Sequence, residues 1–266
     1  MTWMSGSRFP REIGSGGKMI RPRNILLYAV LALLTVTTSS AMQASSLPKL
    51  QDIQGLILKG DFAAAKARLN EFLHDFSGNA EALNLLGVVE AQQGEYRAAE
   101  RTFRKAIAAA PVSVEIYLNL GRLYQENKDN DPKAARKGIT VYERVLRLDP
   151  SNNEAIYQCA LLLGMTGSYE PSLKLLSTLP EIARQRPQTL ALGLADYAGL
   201  KNQGRAEEKI TRLLLHPELV EADVVTVLPI LLAEHNEKLA VQLLAGLEHR
   251  GLASAVAIHQ LGLLHG

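Results

Sequence analysis

The residue types that most often carry chemistry are present in this sequence, but they are not arranged for it. A helical metal site needs two ligands at i and i+4 so that both point from one face, and no two of the six histidines have that spacing. Cys159 stands among Tyr157, Gln158 and Ala160, none of which would lower the pKa of a thiol. We therefore expect no metal, no cofactor and a buried, unreactive Cys159.

Other sequence signatures of enzymes are also missing. The glycine-rich stretch 14–18 lacks the spacing of a phosphate-binding P-loop, and no GxSxG nucleophile motif occurs. Carboxylates are common, but the helical pattern described below places Glu95, Glu100, Glu207 and Glu208 on solvated faces. The sequence predicts a protein that is not an enzyme.

The elements that position these residues are helices, and the stretch 80–111 shows their pattern most clearly. Apolar or small residues recur three or four positions apart in each half of it. Residues 93–95, Gln-Gly-Glu, mark a turn between the halves, and Pro111 closes the second one. This pattern predicts two antiparallel amphipathic helices.

Small residues stand where these two helices would approach each other. Gly87 and Ala99 leave room for close contact, and Phe103 would fill the neighbouring space. The order of Leu, Gly, Ala, Phe and Pro in this stretch resembles a tetratricopeptide repeat (TPR). Glu90 departs from the family pattern, because the family usually has an aromatic residue there.

A TPR hairpin cannot bury its apolar face alone, so the resemblance requires neighbours at a period of about 34 residues. Six repeats are predicted, at 46–79, 80–113, 114–152, 153–186, 187–220 and 221–254. Their second helices share a small residue: Ala65, Ala99, Gly138, Ser172, Ala206 and Ala240. A large apolar residue follows: Leu69, Phe103, Tyr142, Leu176, Ile210 and Leu244. A third apolar position comes one turn later: Phe72, Ala106, Val145, Leu179, Leu213 and Leu247.

The predicted fold is therefore all-α, a TPR-like α-solenoid of about six helical hairpins over 46–254 plus a C-terminal helix. The third repeat is longer by five residues, and we place the extra length in a polar loop at 127–132. Pro229 interrupts the first helix of the sixth repeat. Residues 255–266 are expected to form a partial seventh repeat or a helix that caps the solenoid.

The charge balance argues against nucleic acid as a partner. The chain of 266 residues has a formal net charge of +2, but residues 1–41 contain five basic side chains and one acidic side chain. The remaining chain has 24 basic and 26 acidic residues, which is a poor basis for binding a polyanion overall.

The N-terminal segment has the layout of a secretory signal peptide. Arg21 and Arg23 precede an apolar core at 25–36, and small polar residues follow to Ala41. We expect 19–41 to be a signal peptide and 1–18 to be disordered or upstream of the true start. The alternative is an uncleaved membrane anchor at 24–40, although its apolar core is short of the roughly 20 residues that span a bilayer. The predicted location is periplasmic or secreted, with membrane anchoring as the alternative.

The resemblance to TPR proteins also implies a binding site, because the first helices of successive hairpins line a concave groove in that family. The chaperone-type carboxylate clamp of some TPR proteins is not matched at Asn84 and Val88. The groove positions of repeats two to four suit an extended or helical peptide: Asn84, Val88, Gln92, Leu118, Arg122, Gln125, Tyr157, Leu161 and Met165.

Two functions are compatible with these features. The first is a non-catalytic interaction scaffold of the cell envelope that binds a protein or peptide partner in the groove. The second is an accessory repeat region of an enzyme or export complex whose catalytic part is on another chain. Contact with a membrane is expected only through an uncleaved N-terminal segment.

Overall fold

The computed structural model describes residues 47–128 and 131–265, and within these ranges the chain is helical without a strand. The all-α prediction is confirmed. The signal peptide and the residues before it lie outside the described residues, as does part of the loop at 127–132. The helices are α1 (Leu47–Leu58), α2 (Phe62–Asp75), α3 (Ala80–Gln92), α4 (Tyr96–Ala109), α5 (Val114–Glu126), α6 (Ala134–Leu148), α7 (Asn153–Met165), α8 (Tyr169–Ser177), α9 (Glu181–Arg184), α10 (Pro187–Gly199), α11 (Gln203–Leu214), α12 (Glu221–Val225), α13 (Leu228–Ala233), α14 (Glu237–His249) and α15 (Ala255–His265).

Consecutive helices pack as antiparallel hairpins, and local sequence signals set their ends. Asn79 and Asn152 are N-caps, each accepting a hydrogen bond from the backbone N–H three residues on, at 2.8 and 3.0 Å. Gly94 and Gly167 have φ angles of +79° and +78° in the turns between paired helices, a conformation that costs glycine little. The turn predicted at residues 93–95 is therefore confirmed, and Gly167 forms the equivalent turn in the fourth repeat.

The packing within hairpins depends on the absence of a side chain in the first helix. A Cβ added to Gly87 would lie 2.7–2.9 Å from ring atoms of Phe103, and one added to Gly121 would lie 2.5–3.0 Å from the ring of Tyr142. Both rings are fully buried. The predicted close approach of Gly87 to the second helix is confirmed, and the third repeat uses the same contact with a tyrosine.

The repeat register agrees with the burial of side chains along the whole solenoid. All eighteen second-helix positions identified from the sequence are buried, including those of repeats five and six. Cys159 is buried among them in a cluster with Leu118, Tyr142 and Leu162, and burial raises the pKa of its thiol to about 12. Cys159 is thus a small core residue, as predicted.

The C-terminal half is less regular than the N-terminal half. The short helix α9 lies between the fourth and fifth hairpins, and the first helix of the sixth is split into α12 and α13. Pro229 stands in the first turn of α13, where the missing N–H of proline is tolerated. The interruption predicted from this proline therefore falls just before it. No helix of the described residues is long and apolar enough to cross a membrane.

Alanine at Gly121 should destabilise the protein, because its Cβ would enter the space of the buried Tyr142 ring. We expect a loss of about 1–3 kcal/mol in the free energy of unfolding, measured by urea denaturation followed by circular dichroism. Gly55→Ala is the matched control, since a Cβ there meets no atom within 4 Å; it should be neutral or stabilise by up to about 1 kcal/mol. Equal effects of the two substitutions would contradict the packing described here.

Candidate binding groove

The first helices α3, α5 and α7 form one face of the solenoid, which we call the first-helix face. A chain of side-chain hydrogen bonds crosses it. Asn84 on α3 donates to Glu115 on α5 at 3.0 Å and accepts from Asn119 at 2.9 Å. Arg122 in turn donates to Asn119 at 2.7 Å. Each polar group therefore has a partner in the same or the adjacent repeat.

Arg122 also forms a forked ion pair with the next repeat. Its Nε and Nη2 donate to the two carboxylate oxygens of Glu154 on α7 at 2.7 and 2.6 Å. The Arg122 side chain is only 9% exposed and that of Glu154 is 36% exposed, so the pair is shielded from water on one side. A bidentate pair in such a position fixes the orientation of both side chains.

Gln125 continues these contacts at the end of α5. Its Nε2 donates to Gln158 on α7 at 2.7 Å, and its Oε1 accepts a hydrogen bond from the Tyr142 hydroxyl at 2.6 Å. Asn84, Arg122 and Gln125 were predicted to meet a partner, and in the structure they join neighbouring helices. A partner that recruits them must compete with these internal bonds.

Most of the predicted groove residues are buried. Val88, Leu118 and Leu161 belong to three of the hydrophobic clusters between helices, and Gln92 is 5% exposed. Gln125, Tyr157 and Met165 are half-buried, and Tyr157 and Met165 pack partly against the C-terminal hydrophobic cluster. Burial raises the pKa of the Tyr157 phenol, and the nearby Asp223 adds to this shift, so the phenol stays neutral at physiological pH.

Carboxylates border this face at the start of α3 and α5. Burial raises the pKa of Glu81 and of Glu115, and the negative charge of Glu81 raises that of Glu115 further. The hydrogen bond from Asn84 and the charge of Arg122 act in the opposite direction on Glu115. The two side chains therefore form an acidic border in partly dehydrated surroundings.

The described residues contain no group of three or more histidine, cysteine, aspartate or glutamate side chains that could hold a metal ion. Two polar residues of interest were not found from the sequence. Asn119 occupies a core-facing position. Asp196 lies within an apolar helix, and the sequence around it does not indicate a hydrogen-bond partner. The signal for Asp196 was a single acid in a run of leucine and alanine.

Asp196 on α10 is a buried carboxyl group with one partner. The Ser172 hydroxyl donates to its Oδ2 at 2.5 Å, whereas Oδ1 has no hydrogen-bond partner among the described residues. A Cβ on Gly164 would lie 2.7 Å from this Oδ1, so the carboxyl group packs directly on the α7 backbone. Burial raises the pKa of Asp196 to about 7.

Asp196 should make the stability of the fold depend on pH. The folded protein retains a proton that the unfolded chain releases near the ordinary pKa of 3.8. The free energy of unfolding should therefore fall as the pH rises from about 4 to about 7, and level off above that range. Asp196→Asn should flatten this dependence and raise the melting temperature relative to the parent at pH 8.

The measurement is thermal unfolding between pH 4 and pH 8 for the parent, Asp196→Asn and a control. Glu71→Gln removes an exposed carboxylate from α2 and should leave the shape of the parent curve unchanged. If the melting temperatures of the parent and Asp196→Asn change with pH in parallel, ionisation of the buried carboxyl group does not lower the free energy of unfolding, and the prediction is wrong.

Comparison with known proteins agrees with this architecture. A family model described as tetratricopeptide repeat matches residues 59–113 and 90–135. PilW, described as a widely conserved type IV pilus biogenesis factor, is 18% identical with a TM-score of 0.61, and the match covers 84% of this chain and 100% of PilW. No curated protein is significantly similar to the sequence.

Two further solved structures share the fold. PilF of Pseudomonas aeruginosa is 14% identical with a TM-score of 0.61, over 84% of this chain and 99% of PilF. YrrB, described as a TPR protein with an unusual peptide-binding site, is 17% identical with a TM-score of 0.57, over 77% of this chain and 97% of YrrB. The fold is that of a TPR solenoid, and TPR solenoids are in general modules for protein interaction.

Proposed function

We propose that the chain is a non-catalytic scaffold that binds a peptide or helix of a protein partner on its first-helix face. The observation that carries this proposal is the continuity of that face across three repeats. Its helices are tied together by the bonds from Asn84 to Glu115 and from Arg122 to Glu154. A surface whose side chains are already fixed loses little conformational entropy when a partner binds.

The half-buried residues of this face supply the contacts. Tyr157 offers a large apolar surface with a polar tip, and Met165 one helix turn beyond Leu161 adapts to irregular shapes. Glu115 and Gln125 lie on α5 of the same face, and a peptide backbone would bond to them in competition with Asn84, Gln158 and Tyr142. The peptide-binding site described for YrrB, which has the same fold, is a further reason to propose a peptide ligand here.

The groove should lose affinity when its half-buried side chains are truncated. Tyr157→Ala or Met165→Ala should weaken binding by at least about 1–2 kcal/mol, measured on a partner captured from the envelope fraction of the source cells. Arg122 is left intact, because its loss would leave Glu154 without its partner and remove one hydrogen bond of Asn119, which would confuse binding with stability.

Ile182→Ala is the matched control for this test, since Ile182 is an apolar side chain that is 81% exposed outside the first-helix face. It should leave the affinity unchanged. Circular dichroism must show that all variants are folded at the assay temperature. Undiminished binding by both groove variants would place recognition elsewhere on the chain.

We also propose that the protein works in the cell envelope. This rests on the basic residues Arg21 and Arg23, the apolar core at 25–36 and the small residues up to Ala41. PilW, with the same fold, is described as a type IV pilus biogenesis factor, and this is a further reason for the proposal.

Export should leave a defined N-terminus. If residues 19–41 are a signal peptide, protein extracted from source cells should begin near Met42 or Ser45, because small residues precede both positions. N-terminal sequencing of the purified protein checks this. A product that keeps residues 24–40 and fractionates with membranes would instead indicate the anchored form.

A further inference from the structure

The second helices of repeats two and three form a strongly basic surface. Helices α4 and α6 together contain eight basic and two acidic residues, although the chain as a whole is nearly neutral. The second helices of the other hairpins have nearly balanced charges. We call the surface of α4 and α6 the second-helix face, and it lies on different helices from the proposed groove.

Several cations of this face are available to a partner. Arg97, Arg101, Lys105, Arg136 and Arg147 are exposed, and none of them forms an ion pair with any of the residues described. Arg97, Arg101 and Arg104 stand four and three residues apart, so they follow one stripe of α4. Arg104 pairs with Glu100, whereas Arg97 and Arg101 have no ion-pair partner among the described residues, so part of the positive charge along this stripe remains available.

A cleft of about 440 Å³ lies between the two basic helices. Its floor is Leu120 and Tyr124 on α5, and its walls carry Ile107 and Ala108 from α4 and Val141 from α6. Arg104 and Lys137 stand at its rim. The cleft is thus lined mainly by apolar side chains and bordered by cations on both sides.

The walls of the cleft are held in place by a polar cluster. Glu100 accepts hydrogen bonds from Arg104 at 3.0 Å and from the Tyr124 hydroxyl at 2.9 Å, and the Lys137 ammonium lies 3.5 Å from its other oxygen. The Glu100 side chain is only 25% exposed, so the expectation that it is solvated was wrong. Its contacts join α4, α5 and α6 beside the cleft.

We propose that this cleft binds an acidic segment of a protein partner that inserts one apolar side chain between α4 and α6. The apolar walls would bury that side chain. Acidic residues on either side of it would pair with Arg101 and Arg136, which stand about one helix turn before the lining residues Arg104 and Thr140. This inference does not depend on the first-helix face, because no residue of the cleft belongs to the proposed groove.

The geometry favours a peptide over nucleic acid. Cation–aromatic contacts already occupy one face of each tyrosine ring at the cleft: Lys137 lies 5.3 Å from the ring centre of Tyr124, and Arg144 lies 5.8 Å from that of Tyr117. Nucleic-acid sites of this kind need open aromatic faces on which bases stack. A membrane would present headgroups to the cations but no single side chain that fits the cleft.

The test uses the whole chain and two fluorescein-labelled peptides. One is a run of ten aspartate and glutamate residues with a central phenylalanine, and the other has glycine in place of that phenylalanine. We expect the phenylalanine peptide to bind at least ten-fold more tightly by fluorescence anisotropy in 50 mM salt. Arg101→Glu combined with Arg136→Glu should weaken the binding of both peptides at least ten-fold, because both positions are exposed and unpaired.

A second variant separates the cleft from the charge. Ala108→Tyr fills the cleft from an exposed position of its wall and keeps every cation. It should reduce the affinity for the phenylalanine peptide to that of the glycine peptide. The control is Lys238→Glu, which reverses an exposed charge on α14 in the sixth repeat. It should leave the affinity for both peptides unchanged.

Three results would overturn the proposal. They are equal affinity for the two peptides, no loss of affinity in Ala108→Tyr, and stronger binding of phosphatidylglycerol vesicles or single-stranded DNA that Ala108→Tyr leaves unchanged. The last result would identify the surface as a general polyanion site. None of these results bears on the variants of Tyr157 and Met165, so this inference and the proposed function fail independently.

Discussion

The second and third hairpins depend on a steric relation between their two helices, in which a ring of the second helix occupies the space that a Cβ of the first helix would need. Gly87 meets Phe103 and Gly121 meets Tyr142 in this way. The contact brings the helix axes close together and sets which side chains of each helix turn away from the partner. First helices thereby line up on one side of the solenoid and second helices on the other, and the two surfaces acquire different chemistry.

Much of this architecture could be predicted, because close packing of paired helices requires small and large apolar residues at regular positions in each repeat. Small and large apolar residues recur on the second helices, and the structure buries all eighteen of these positions. The signal weakens after repeat four for a local reason. At the turn position where Gly94 and Gly167 have positive φ, repeats five and six have Lys201 at +58° and His235 at +56°. Other contacts must hold these residues in a conformation that disfavours a side chain, so the turn is present without its glycine.

The candidate sites were less predictable, because the sequence indicates the face of a residue but not its bonding partner. Arg122 was placed on the groove side, yet its forked pair with Glu154 depends on the distance between two repeats. The burial of Asp196 likewise depends on the absence of a side chain at Gly164, 32 residues earlier. The cleft of the second-helix face is formed by three helices together and leaves no motif of its own.

Acidic and basic side chains are concentrated on different faces, so the solenoid has an electrostatic dipole perpendicular to its long axis. Helices α3, α5 and α7 contain five acidic residues and one basic residue, whereas α4 and α6 contain two acidic and eight basic residues. A molecule with this transverse dipole turns in the field of an approaching charged body before contact, and the effect weakens as ionic strength rises. An anionic ligand and a cationic one would therefore be drawn to opposite sides of repeats two to four.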